Sequence, residues 1–144
     1  MKALDLIPYL RKNARLSLAR LSRELGLPCS TTYEWLKQVE RTFIVRHTSL
    51  IRFSDLGLCQ ICVFLKVEKE RREDIIAYIR RVEGLNRLYS TVGSFDFVAE
   101  FIIMDYGAAA DFMEFLGKQE GITVCGMHHI ISEIEQERFL RKDL

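Results

Sequence analysis

Thr31, Glu34, Trp35 and Gln38 recur at i, i+3, i+4 and i+7, the spacing that lines four side chains along one face of a helix. Their chemistry is that of base edges. A glutamate accepts from cytosine N4, a glutamine pairs with adenine, and an apolar side chain meets the thymine methyl. In this reading Trp35 points outward, to a methyl or along the sugars. Ser30 and Thr31 open the same segment, where hydroxyls and a helix N-terminus together hold a phosphate. Thr32 and Lys37 complete the set on this helix, and Arg15, Arg20, Arg23 and Arg46 lie around it. The cations are phosphate ligands, which position a duplex without reading it.

The other reactive side chains form no site. Cys59-Gln-Ile-Cys62 has the spacing of half a zinc site. It lies in a run that alternates like a strand, however, where residues three apart point to opposite faces. No second CxxC and no HxxxH accompanies it, and Cys29 and Cys125 stand far away. Small buried apolar side chains are the reading for these thiols. His47 stands by itself. His128 and His129 are adjacent in a strand-like run and face opposite ways, so they make no acid–base pair. No Ser/His/Asp set or phosphate loop appears. The expectation is a chain that is not an enzyme and has no cofactor.

The elements that must position the first set come next. Leu18, Leu21 and Leu25 make one stripe of a short helix, with Ser17 at its N-cap. Gly26-Leu27-Pro28 stops that helix. Ser30 or a neighbour caps a second helix running to about Arg41, with Thr32, Tyr33, Leu36 and Val39 turned inward and Phe43 sealing its end. A preceding helix over residues 5–13 carries Leu6, Ile7 and Leu10, with Asp5 as its cap and Pro8 near its start. Two short helices joined by a glycine turn offer a helix to the DNA major groove. Residues 44–52 mix β-branched with basic residues and read as a strand or wing.

Charge supports the division. The chain of 144 residues has a net charge of only +1. Up to Arg52 there are ten basic residues against four acidic, a balance of +6, and from Phe53 onward eleven against sixteen, a balance of −5. A basic third on an acidic body is what a chain with one phosphate-facing domain shows. No apolar run approaches bilayer length and no secretory leader opens the sequence, so a cytoplasmic location is expected.

The remainder alternates differently. Residues 58–68 read as a strand, 71–82 as a helix on Ile75, Ile76, Ile79 and Val82, 85–92 and 96–104 as a strand pair, 108–118 as a helix, and 122–131 as a last strand. The order is βαββαβ, the ferredoxin-like arrangement. Two helices cover one sheet face. The other still carries Cys62 and Phe64 on the first strand and Val98 and Ile102 on the third. A sheet apolar on both faces needs cover on both, so a second subunit is expected there.

Together these parts resemble the Lrp/AsnC, or feast/famine, transcription regulators over nearly the whole chain. The resemblance rests on Asn13-Ala14-Arg15-Leu16-Ser17, Leu21 to Leu27, Val39-Glu40, Phe43-Ile44, Thr91-Val92-Gly93-Ser94-Phe95-Asp96 and Gly121-Ile122. Two departures stand out. Arg41-Thr42-Phe43 replaces the family's glycine after the recognition helix, and Glu34 and Trp35 stand where the family has basic residues. The fold expected is α+β: a winged helix-turn-helix domain over 1–43, a β-strand linker over 44–57, a βαββαβ ligand-sensing and oligomerisation domain over 58–134, and a tail over 135–144.

The resemblance implies a sequence-specific regulator that binds double-stranded DNA as a homodimer, or as rings of dimers such as octamers. It also implies an amino-acid or related effector held between the C-terminal domains. For that effector the candidates are Gly93, Ser94, Phe95 and Asp96, whose carboxylate accepts from an α-ammonium group, with Thr123 nearby. A hairpin turn whose aspartate caps local N–H groups is the competing reading. Two rival functions remain at this stage. One is an architectural DNA-binding protein with little sequence choice. The other is an enzyme like the siroheme decarboxylases, which share the two-domain layout.

Overall fold

In a computed structural model, residues 3–140 are described. The chain divides into two compact units, one reaching to Leu50 and including the tail from Ile134, the other Ile51–Glu133.

In the first unit a 3-10 turn over Ala3–Leu6 leads into α1 (Ile7–Lys12), α2 (Leu18–Leu25) and α3 (Cys29–Thr42). The first helix thus starts later than its apolar spacing suggests, and Asp5 is not its cap. Pro8 falls in its first turn, because a proline that lacks an N–H is tolerated only there. Leu6, Tyr9, Leu10, Leu21, Leu25 and Val39 form the core.

The turn before α3 follows the sequence closely. Ser17 caps α2 by accepting the Arg20 N–H at 3.3 Å. Gly26 has φ 65, and its N–H returns to the carbonyls of Arg23 and Ser22. The Leu27 N–H reaches the Ser22 carbonyl at 3.0 Å. These bonds satisfy the last carbonyls of α2, and the left-handed step favours glycine.

Residues 44–52 correct the expectation of a β linker: they carry no strand and pair with none among the described residues. Val45 is almost fully exposed. A β-rich segment becomes a strand only when a partner takes up its ladder bonds.

The second unit is β1 (Cys59–Val67), α4 (Arg72–Ile79), β2 (Leu85–Ser90), β3 (Phe97–Ile103), α5 (Ala108–Gly117) and β4 (Ile122–Ile130). The antiparallel sheet runs β2-β3-β1-β4, the ferredoxin-like order that the element sequence implies. Ile61, Val63 and Leu65 of β1 and Phe97, Ala99 and Phe101 of β3 are buried against Ile75 and Ile79 of α4 and Leu116 of α5. The alternate residues face away from this core. There the register sets Cys62 between Glu100 and His128, and Phe64 between Val98 and Gly126.

Candidate nucleic-acid interface

The α3 helix begins one residue before Ser30, with Pro28 at its N-cap and no side-chain cap. Thr32 donates its hydroxyl to the Pro28 carbonyl at 3.0 Å and is completely buried. It is therefore removed from the duplex-facing set. A small polar side chain packs inward when its hydroxyl finds a partner one turn back.

Thr32 fixes the rotation of the helix. With Val39 buried and Leu36 packed beneath, the inward stripe is Thr32, Leu36 and Val39. At 100° per residue Trp35 lies about 60° from Thr32 on this stripe, whereas Tyr33 lies about 100° away on the other side. The structure follows that arithmetic. Trp35 is half-buried against the core, and Tyr33, expected inward, is 44% exposed. The Lys37 ammonium stands 5.4 Å from the centre of the Tyr33 ring, a cation–π distance.

The exposed face of α3 is thus Ser30, Tyr33, Glu34, Lys37, Gln38 and Arg41. Ser30, Glu34, Lys37 and Gln38 belonged to the expected set. Tyr33 and Arg41 were missed, because the expected inward stripe of Thr32, Tyr33, Leu36 and Val39 included Tyr33, which at about 100° from Thr32 falls outside it. Thr31 is half-buried beside this face.

The surrounding cations are exposed. Arg20 approaches Glu24 one turn on at 4.0 Å, a contact of little energetic weight in water. Arg15, Arg23 and Arg46 have no carboxylate partner among the described residues. His47 shares a 3.2 Å hydrogen bond with Glu40.

In the second unit the 93–96 turn is built by backbone bonds. Gly93 has φ 139, the Thr91 N–H donates to the Asp96 carbonyl at 2.9 Å, and the Asp96 N–H donates to Leu65 at 2.9 Å. The Asp96 carboxylate accepts the Val67 N–H at 3.0 Å, and its other oxygen is 3.8 Å from the Arg72 guanidinium. Phe95 packs on Phe64 with ring centres 4.9 Å apart. Ser94 is exposed. Thr123 lies across β1 from this turn, opposite Lys66, in a cleft of about 220 Å³ shared with Glu68 and Gly121. Thr123 and Asp96 therefore flank the same end of β1 on its two sides.

The thiols and imidazoles stand apart. Cys59 and Cys62 are free, as are Cys29 and Cys125. Burial pushes the Cys62 thiol up, and the neighbouring Glu100 charge adds to the effect. His128 meets Phe64 edge-on at 5.4 Å, and His129 stacks on Tyr106 at 4.5 Å, on opposite faces of β4. Among the described residues no three His, Cys, Asp or Glu side chains are arranged to hold a metal ion, and no helix is long and apolar enough to cross a membrane.

Comparisons with known proteins agree with this architecture. Residues 1–48 match the IclR helix-turn-helix domain. The HTH-type transcriptional regulator FL11 of Pyrococcus abyssi is 23% identical over 128 residues, covering 88% of this chain and 83% of that protein. A transcriptional regulator of Neisseria meningitidis, solved in complex with L-methionine, superposes with a TM-score of 0.83 at 23% identity, covering 93% of this chain and 90% of the other. Bacillus subtilis LrpC superposes with a TM-score of 0.79 at 24% identity, covering 92% and 94%.

Proposed function

We propose that this chain, whose two-domain fold is that of the Lrp/AsnC (feast/famine) regulators, is a sequence-specific DNA-binding transcriptional regulator acting in the cytoplasm as a homo-oligomer. The observation that carries the reading is the exposed face of α3. A helix-turn-helix holds Ser30, Glu34, Lys37 and Gln38 outward while Thr32, Leu36 and Val39 anchor the helix from behind. Glu34 and Gln38 read base edges, and Arg15, Arg20, Arg23 and Arg46 hold phosphates.

Paired half-sites need two such helices, hence at least a dimer. The β1–β3–β4 face bearing Phe64, Val98, Ile102 and Ile130 supports the sheet as the seam between copies, because it presents apolar side chains away from the helix-covered core. An amino-acid effector is the second part of the proposal. It is supported by the L-methionine in the Neisseria relative's structure and by the position of Asp96 and Thr123 on the two sides of one end of β1. The bond from Val67 to Asp96 uses one carboxylate oxygen, and an ammonium group would share the other with the Arg72 guanidinium, which stands 3.8 Å from it.

Selection of bound sequences from random duplexes, with and without each amino acid, tests both parts. A regulator yields one enriched, two-fold symmetric motif whose recovery changes with one amino acid. An architectural protein enriches none, since specific sites must outbind random DNA by orders of magnitude.

A further inference from the structure

The tail from Ile134 belongs to the same compact unit as the N-terminal helices. Its Glu137 carboxylate pairs with the Arg11 guanidinium. The pair closes one wall of a groove of about 650 Å³ between α1 and residues 43–50, lined also by Lys12, Arg15, Arg46 and His47. Among the described residues Glu137 is the sole acidic one of that lining. Arg15 and Arg46 have no carboxylate partner among the described residues. Glu137 also has φ 55, a left-handed step that its side chain does not favour, so its position is held by contact rather than by local preference. A guanidinium fork donates to a carboxylate and to a phosphate with the same two-pronged geometry.

We propose that this groove is a phosphate-binding site for the duplex backbone, and that Glu137 occupies it in the free protein as a stand-in for that phosphate. DNA binding then requires the tail to release Arg11, and the affinity for any duplex is set partly by this exchange. The proposal rests on the regulator reading for the source of the phosphate, and on the charge of the groove alone for its chemistry.

The test uses the full chain and a random duplex across a series of salt concentrations. Glu137→Gln should bind several-fold tighter at low salt, and that gain should shrink as salt rises, because salt weakens the Arg11–Glu137 pair that competes for the site only in the unsubstituted chain. Glu114→Gln removes the same charge from a surface pair with Lys118 in the other unit and should change neither quantity. Adding Arg11→Gln to Glu137→Gln should erase the gain. Equal behaviour of Glu137→Gln and Glu114→Gln overturns the proposal. If no variant binds any duplex, the regulator reading fails, and inorganic pyrophosphate decides the groove. The Arg11 Nε–H resonance should then move at lower pyrophosphate concentration in Glu137→Gln than in the unsubstituted chain, and identical titrations overturn the site.

Discussion

Asp96 and Val67 are 29 residues apart in sequence, yet the Asp96 carboxylate accepts the Val67 backbone N–H at 3.0 Å. That bond fastens the β2–β3 turn to the end of β1, where the ladder between β1 and β3 has run out at Leu65 and Phe97. Asp96→Ala leaves the Val67 N–H without this acceptor and should cost about 1–3 kcal/mol, read by chemical denaturation. Asp96→Asn keeps a carbonyl oxygen for Val67 and should recover most of that loss. If the effector reading holds, the same Asn variant still loses the amino-acid response in a thermal-shift screen, since the charge that meets the ammonium is gone.

The corrected rotation of α3 separates two neighbouring substitutions. Glu34→Ala should relax base preference at one operator position by about 1–3 kcal/mol and leave stability nearly unchanged. Thr32→Val removes the hydroxyl bond to Pro28 and should lower stability by about 1 kcal/mol with the base preference intact. Measured operator profiles that shift with Thr32 rather than Glu34 would place the duplex on the other face of the helix.

Arg23 is exposed and has no carboxylate partner among the described residues. Arg23→Gln should weaken binding to all duplexes alike and flatten the salt slope by about one. A loss confined to the preferred operator would make Arg23 a base reader instead.

Gly84 has φ 82, and a Cβ there would stand 2.4 Å from the Ile102 carbonyl oxygen. The same two residues are joined by the Ile102 N–H donating to the Gly84 carbonyl at 2.8 Å, so the backbones cannot part without losing that bond. Gly84→Ala should destabilise the second unit by more than the 1–2 kcal/mol that a left-handed residue costs by itself. Thermal unfolding gives the measurement, with Gly26→Ala, which has open space around its Cβ, as the milder comparison.

Burial and Glu100 raise the Cys62 thiol, so at a given pH less of it is thiolate, the reactive form. Iodoacetamide should modify the exposed Cys29 and Cys125 before Cys62. Labelling of Cys62 should go on accelerating at pH values above the ordinary thiol range, where an unperturbed thiol has levelled off. If copies meet through this sheet face, Cys62 becomes slower still as protein concentration rises, and mass spectrometry of the labelled peptides reads both effects.

Much of this architecture was legible in the chain itself. Ser17, Gly26 and Pro28 mark the helix-turn-helix because capping and left-handed turns are local chemistry, decided by a few residues. The βαββαβ order followed from a period near two giving way to a helical period and back. Only the tertiary structure decided which face of α3 is outward. Tyr33 and Trp35 are both amphipathic aromatics, and the choice between them turned on the buried Thr32 hydroxyl, whose partner appears only once the helix exists. Residues 44–52 have strand propensity, but a strand needs hydrogen bonds from another segment, and composition does not supply one. The pairings of Arg11 with Glu137 and of Val67 with Asp96 lie beyond any sequence period for the same reason. They join segments far apart in the chain, and their cost in chain entropy is offset only when the packed units bring them together.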